Sequence, residues 1–114
     1  MLVIEDSEDV RMICAVLLRL EGFAVEEATN GADGLQKAIQ SIPDVIITDL
    51  TMPVMDGEET IRRLRADERT RHIPIIACSG DKVPTDSRPD AHLVKPCPPE
   101  TLLLELRRVL RHAT

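Results

Sequence analysis

The sequence predicts a single α/β domain, built on a parallel β-sheet with helices packed on both faces. Short apolar segments alternate with longer amphipathic segments along the whole chain, which is the pattern of repeated β-α-β units. The length of 114 residues suits one domain, which we take to span 1–114. Hydrophobic residues make up 43% of the chain, enough for a packed core, and that core must be aliphatic because Phe23 is the only aromatic residue.

Five short segments are predicted to form the strands. They cover residues 2–4, 23–28, 45–48, 73–78 and 91–94. Several are continuously apolar, as expected for strands of a parallel sheet that is buried on both faces. Right-handed crossovers would place helices on both faces of such a doubly wound sheet, and its functional site should lie at the carboxyl ends of the strands.

The first helix is predicted over residues 8–21. Apolar side chains recur there at steps of three and four residues, which predicts one stripe buried against the sheet. The stripe consists of Val10, Ile13, Cys14, Leu17 and Leu20. Gly22 follows directly and is typical of a C-terminal cap.

Three further helices are predicted. The second stops before Pro43, because the residue that precedes a proline is disfavoured in a helix. The third begins after Asp56-Gly57, and we interpret the arginines near its end as a solvated terminus where cations interact favourably with the helix dipole. The last helix covers 99–111, with Pro99 suited to its first turn. Its buried stripe is predicted to comprise Leu102, Leu103, Leu106, Val109 and Leu110.

The connection between the fourth and fifth strands is predicted to be a loop with at most one turn of helix. Only the ten residues 81–90 lie between Gly80 and the last strand. This is the lower limit of the about 10 to 12 residues that a parallel crossover needs including its helix. Pro84 and Pro89 further oppose helix formation there. The sheet should therefore have a shortened or missing helix at this crossover.

Composition excludes several classes of protein. The net charge of -6 opposes direct binding of nucleic acid, and the lack of Trp and Tyr leaves little for base stacking. No apolar run approaches the ~18 residues of a membrane span, and no signal peptide precedes the first strand, so we expect a cytoplasmic protein that does not enter the membrane. Three cysteines without a CxxC pair are interpreted as reduced thiols.

Polar side chains follow four of the predicted strands, at the point where each strand ends. Glu5 and Asp6 follow the first strand, Asp49 the third, Ser79 the fourth and Lys95 the fifth. Because the carboxyl ends of parallel strands meet at one edge of a sheet, we expect these groups to converge. The sequence thus predicts three carboxylates, a hydroxyl and an ammonium group in one site.

Such a site suits phosphoryl chemistry with a hard cation. Neighbouring carboxylates repel one another, and Mg²⁺ relieves that repulsion by taking oxygen ligands from Glu5, Asp6 and Asp49. A carboxylate beside the metal can act as a nucleophile toward phosphorus and form an aspartyl phosphate. Lys95 and the metal would offset the charge on the phosphoryl oxygens, with Ser79 as a hydrogen-bond donor.

Four sequence features together resemble a known family. They are the acidic pair Glu5-Asp6, the segment 43–57 (PDVIITDLTMPVMDG), the pair Ser79-Gly80 and the segment 93–96 (LVKP). In this order the chain resembles the receiver domain of two-component response regulators over essentially its whole length. The resemblance implies a flavodoxin-like five-stranded parallel sheet with strand order 2-1-3-4-5.

The resemblance also implies roles for the acidic residues. Asp49 would accept a phosphoryl group from a histidine kinase or phosphotransfer protein, as in a phosphorelay. Asp6 and Asp49 would bind Mg²⁺ directly together with the backbone carbonyl of Thr51, and Glu5 would act mainly through water.

On the fifth strand the chain both follows the family and departs from it. Ser79 and Lys95 would meet the phosphoryl oxygens, and Lys95-Pro96 resembles a position where the family commonly has a cis peptide. The family usually carries an aromatic residue three positions before this lysine, coupled to the hydroxyl on the fourth strand, whereas this chain has His92. We interpret His92 either as a polar edge residue or as a pH-sensitive substitute for the ring. Together with the short crossover between the fourth and fifth strands, the replacement of the aromatic residue by His92 predicts a specialised partner or an altered dimer geometry.

Three functions remain open from the sequence. The leading hypothesis is a signalling switch that catalyses only its own phosphorylation and dephosphorylation and acts on an unknown output protein or domain, with a homodimer left open. The first alternative is an interaction module that works without phosphorylation. The second is a Mg²⁺-dependent phosphohydrolase with Asp49 as nucleophile, which would need a second acid that the segment Asp49-Leu50-Thr51 lacks.

Overall fold

The computed structural model describes residues 1–50, 52, 54–80, 88–95 and 98–112. The strands are β1 (Leu2–Ile4), β2 (Glu26–Ala28), β3 (Ile46–Asp49), β4 (Ile75–Ser79) and β5 (Ala91–Val94). The helices in the described part of the chain are α1 (Glu8–Leu20), α2 (Gly31–Ser41), α3 (Gly57–Ala66) and α4 (Pro99–His112). Strands and helices alternate up to β4, as the sequence pattern predicts.

The strands form one parallel sheet in the order β2-β1-β3-β4-β5, which confirms the predicted doubly wound topology. The register places one residue from each of four strands side by side across the sheet. Ile4 lies opposite Thr48, Thr48 opposite Ala77, and Ala77 opposite His92. The residues that follow these four along their strands therefore lie together at the carboxyl edge of the sheet.

Three of the predicted strands start later than expected. The clearest case is β2, which begins at Glu26 and not at residue 23. The backbone N–H of Phe23 donates to the carbonyl of Leu18 at 3.1 Å, so this residue closes the end of α1 and does not join the sheet. An apolar side chain near a strand does not by itself fix where the hydrogen-bonded ladder begins.

Side-chain caps define where three helices start. Ser7 accepts a hydrogen bond from the backbone N–H of Val10 at 3.4 Å, and Asn30 accepts one from Asp33 at 2.8 Å. Asp56 accepts one from the backbone N–H of Glu59 at 2.9 Å. Each side chain satisfies a backbone donor that has no partner within its helix.

The predicted buried stripe of α1 is wrong. Its buried residues are Ala15 and Leu18, while Cys14 is half-buried. The other members of the predicted stripe are exposed: Val10 by 45%, Ile13 by 62%, Leu17 by 40% and Leu20 by 78%. Since α1 is apolar around most of its circumference, three-and-four spacing fits more than one stripe and cannot select the face that meets the sheet.

Packing of α4 and the end of α3 is closer to expectation. Leu106 and Val109 are buried, and Leu102, Leu103 and Leu110 pack against the same core. At the end of α3, exposed arginines pair with nearby carboxylates: Arg62, Arg63 and Arg69. Arg65 differs, because its guanidinium donates to the Ile73 carbonyl at 2.8 Å and pairs with Asp90 at 2.7 Å, which ties α3 to the start of β5.

Alternation along the strands divides the core between the two faces of the sheet. Ile46 and Ile75 pack on the side of α2 and α3, whereas Ile47 and Ile76 pack on the side of α1 and α4. The loop predicted at the β4–β5 crossover covers residues 81–90, of which 81–87 lie outside the described residues and 88–90 belong to no helix or strand.

Among the helices of the described ranges, none is long and apolar enough to cross a membrane.

Candidate functional site

Three carboxylates converge at the carboxyl edge of the sheet. Glu5 and Asp6 follow β1, and Asp49 ends the neighbouring strand β3. One oxygen from each lies within 4.8 Å of the others. Glu5 and Asp49 are buried, with 6% and 8% of their surface exposed, and Asp6 is exposed. This donor set fits Mg²⁺, which prefers oxygen ligands and keeps part of its water shell.

Lys95 reaches into this acidic cluster from the end of β5. Its Nζ lies 2.9 Å from Glu5 Oε1 and 3.2 Å from Asp49 Oδ2. Burial lowers the pKa of Lys95, but the hydrogen bond to Glu5 and the charges of Glu5 and Asp49 outweigh it, so that its pKa lies above the ordinary value. The ammonium group is therefore charged and is held between the two buried carboxylates.

Burial raises the pKa of Glu5. Hydrogen bonds from Lys95 and from the backbone N–H of Ser7 lower it again only in part, and the nearby charge of Asp49 adds to the rise. The folded domain consequently binds a proton at Glu5 more tightly than the unfolded chain does.

The raised pKa of Glu5 predicts a loss of stability with rising pH when no divalent metal is present. The loss should begin near the ordinary pKa of 4.5 and be complete once the pH exceeds the raised value, because ionisation is then penalised only in the folded state. Glu5→Gln should flatten this part of the profile, measured as urea midpoints by circular dichroism between about pH 4 and 7. Glu68→Gln, at an exposed position, is the matched control. Equal slopes in all three proteins would contradict the assignment.

Ser79 and His92 form a side-chain pair beside the acidic cluster. Ser79 ends β4 and is 1% exposed, and its Oγ lies 2.8 Å from His92 Nε2. Asp49 and Cys78 are paired in the sheet, so Ser79 lies one residue further along the adjacent strand. The sequence singled out both residues, but not the hydrogen bond between them.

Three residues with predicted roles lie outside the described residues. They are Thr51, whose carbonyl was expected to bind the metal, Pro96, expected to follow a cis peptide, and Cys97, expected to be a reduced thiol. In the described part of the chain, Cys14 and Cys78 form no disulfide with each other. Both line an apolar cavity of about 570 Å³ that reaches the acidic cluster from the side of α1 and α4.

Close packing at Gly57 supports the backbone of Asp49, a contact that sequence reasoning missed. The Gly57 N–H donates to the Leu50 carbonyl at 2.9 Å. A Cβ atom at Gly57 would overlap the Asp49 carbonyl oxygen and lie 2.6 Å from Leu50 Cα. The start of α3 therefore needs a residue without a side chain to lie against the end of β3.

Gly57→Ala should destabilise the domain by about 2–3 kcal/mol, because a methyl group meets backbone atoms that cannot yield without moving the end of β3. Gly80→Ala is the matched control, since a Cβ there meets nothing within 4 Å in the described part of the chain. Urea unfolding followed by circular dichroism measures both. Equal midpoints for the two variants would show that the loop adapts to the added methyl group.

The fold and the site together define a class of protein. A doubly wound sheet carries an acidic, lysine-bridged site at its carboxyl edge, where small α/β domains place their chemistry. The family model of the response regulator receiver domain matches residues 1–107. The chain belongs to this family and is a receiver domain of two-component signalling.

Curated relatives extend the comparison. The chain is 35% identical over 116 residues to the DNA-binding dual master transcriptional regulator RpaA of Synechocystis, covering 96% of this chain and 48% of that protein. It is 36% identical over 113 residues to the response regulator ArlR of Staphylococcus aureus, covering 96% and 52%. The chain thus spans about half the length of the curated relatives it matches.

Two solved structures superpose closely on this chain. The chemotaxis protein CheY4 of Vibrio cholerae superposes with a TM-score of 0.88 at 35% identity, covering 95% of each chain. The receiver domain of a sensor histidine kinase from Pseudomonas aeruginosa superposes with a TM-score of 0.90 at 28% identity, covering 96% of this chain and 95% of that one, and holds a magnesium ion in its active-site cleft.

Proposed function

We propose that this receiver domain accepts a phosphoryl group on Asp49 from a histidine kinase or phosphotransfer protein. The observation that carries the proposal is the position of Asp49, a buried carboxylate bridged by Lys95 to Glu5 at the end of β3. The signal would pass to an output protein or domain through a change in conformation. The domain would turn over no other substrate, since its product is its own aspartyl phosphate.

Phosphoryl transfer to Asp49 requires mainly that the reacting groups are held in the correct positions. A carboxylate oxygen of Asp49 forms the new bond to phosphorus, the bond to the donor's leaving atom breaks, and the leaving group departs with the electron pair. Lys95 Nζ, already 3.2 Å from Asp49 Oδ2, is placed to donate to a phosphoryl oxygen and offset its charge. Ser79 supplies a hydroxyl from the adjacent strand.

Glu5, Asp6 and Asp49 would hold Mg²⁺, together with the carbonyl of Thr51. When bound, the ion neutralises negative charge on the carboxylates and on the phosphoryl oxygens. The fit rests on the donor chemistry, because all three side chains offer oxygen atoms within 4.8 Å of one another.

Intact mass spectrometry tests the proposal. Incubation with acetyl phosphate and Mg²⁺ should add one phosphoryl group, and chelation of the metal should prevent it. Borohydride reduction followed by trypsin digestion should place the modification at Asp49 within the peptide 38–62, and not at Asp44 or Asp56. No gain from acetyl phosphate or from candidate kinases would favour the phosphorylation-independent module, and continuous release of phosphate from phosphoesters would favour the phosphohydrolase.

A further inference from the structure

The side chain of Arg11 on α1 lies against the chain at the point where β1 ends. Its Nη1 donates to the backbone carbonyl of Glu5 at 2.9 Å, and its Nε pairs with Glu27 Oε1 on β2 at 3.3 Å. Only 14% of the side chain is exposed, against 48% for Arg19 on the same helix. A guanidinium donates in fixed directions, so these two contacts define the position of the group between α1, β1 and β2.

The contact with Glu5 reaches the backbone that carries two of the three carboxylates. The Glu5 carbonyl belongs to the peptide group that joins Glu5 to Asp6, and because this group is planar, its orientation also sets the direction in which the chain enters Asp6. The Glu5 N–H donates to the Ala28 carbonyl at 3.1 Å, which extends the pairing with β2 by one residue. Past that bond, Arg11 holds the Glu5 carbonyl. A side chain therefore orients the peptide between the two acids.

Glu27 is itself anchored, which makes it a firm support for Arg11. Its backbone carbonyl accepts a hydrogen bond from Lys37 Nζ at 2.6 Å, so that α2 holds this part of β2 in place. Its second carboxylate oxygen, Oε2, pairs with Arg19 at 3.3 Å. Arg11 is thus held by a fixed carboxylate of the edge strand β2 while it bonds to the backbone of Glu5.

We propose that Arg11 is a positioning residue for the acidic pair Glu5-Asp6, and that it orients the peptide between them so that both carboxylates face the Mg²⁺ site. The inference rests on the proposed function, in which these carboxylates hold the ion. An arginine that served only the ion pair on β2 would need no bond to Glu5. Arg19 is such a residue, because it pairs with the same carboxylate and donates to the Val25 carbonyl at 2.9 Å.

Mg²⁺ affinity, measured by calorimetry, tests this role. Arg11→Met removes the hydrogen-bond donors but keeps a long apolar stem, and it should weaken Mg²⁺ binding by about tenfold, as is typical when a group that orients metal ligands is lost. Loss of a cation beside the acidic cluster would by charge alone strengthen the binding, so weaker binding identifies lost positioning. Arg19→Met is the matched control, because it takes the same charge from Glu27 without a contact to Glu5. It should bind Mg²⁺ no more weakly than wild type.

Nitrogen-15 relaxation of the Asp6 amide reports on the same peptide without metal. Its order parameter should be about 0.85 in wild type and in Arg19→Met, as in rigid backbone, and about 0.6 in Arg11→Met. Arg11→Lys offers one nitrogen for two acceptors and should lie between wild type and Arg11→Met in both measurements; it carries the test alone if Arg11→Met fails to fold. Wild-type affinity and order parameter in the folded Arg11 variants would overturn this inference alone. A wild type that binds no Mg²⁺ would overturn the metal site of the proposed function, and the inference with it.

Discussion

Asp49→Asn should abolish phosphoryl gain and at the same time stabilise the metal-free domain. An amide has no carboxylate oxygen to form the bond to phosphorus, so the added mass should disappear. Removal of one of three neighbouring negative charges should raise the free energy of unfolding by about 1 kcal/mol, because it relieves the repulsion among the carboxylates. Lys95 would keep its ion pair with Glu5 at 2.9 Å.

Asp44→Asn is the matched control for this prediction. It makes the same chemical change five residues earlier, at an exposed position before β3. Intact mass measures the modification, and urea unfolding is followed by far-ultraviolet circular dichroism because the chain has no Trp or Tyr. Undiminished phosphoryl gain in Asp49→Asn would place the acceptor elsewhere, and a lower unfolding midpoint would show that repulsion does not dominate the metal-free site.

The sequence was sufficient to predict the sheet because its signals are local and strong. Apolar strands such as Leu2–Ile4 and Ile75–Ser79 are buried on both faces, so almost every position in them reports burial. Burial in α1 was not predictable in the same way. Only one side of a surface helix meets the sheet, and with apolar residues around most of α1 the choice between Ala15 and Ile13 depends on tertiary packing.

Convergence of the polar strand ends followed from topology, and the contacts among them did not. Parallel strands had to bring the side chains after β1 and β3 to one edge. Whether Lys95 would face solvent or bridge Glu5 and Asp49 depended on the path of the chain after β5. The hydrogen bond between Ser79 and His92 depended on the register of β4 and β5, which places these two residues diagonally beside each other. Residue types alone do not encode that register.

Lys95→Ala should separate metal binding from phosphoryl transfer. Loss of the ammonium group removes a donor for the phosphoryl oxygens, and the rate of phosphoryl gain should fall by about 100-fold or more. Mg²⁺ affinity should instead rise by about fivefold, or roughly 1 kcal/mol, because the carboxylates of Glu5 and Asp49 lose the cation that competes for them. The metal-free domain should also unfold more readily, since these two buried carboxylates would face each other without a counter-ion.

The opposite signs of these effects make Lys95→Ala decisive. Lys37→Ala is the matched control, because the Lys37 side chain is 33% exposed against 32% for Lys95 and pairs with Asp33 at 3.4 Å, away from the acidic cluster. Asp6→Ala, which removes a proposed ligand, should weaken Mg²⁺ binding measured by calorimetry. If Lys95→Ala weakened it as much, the lysine would support the metal site itself, and its position between Glu5 and Asp49 would no longer indicate a role in neutralising the phosphoryl group.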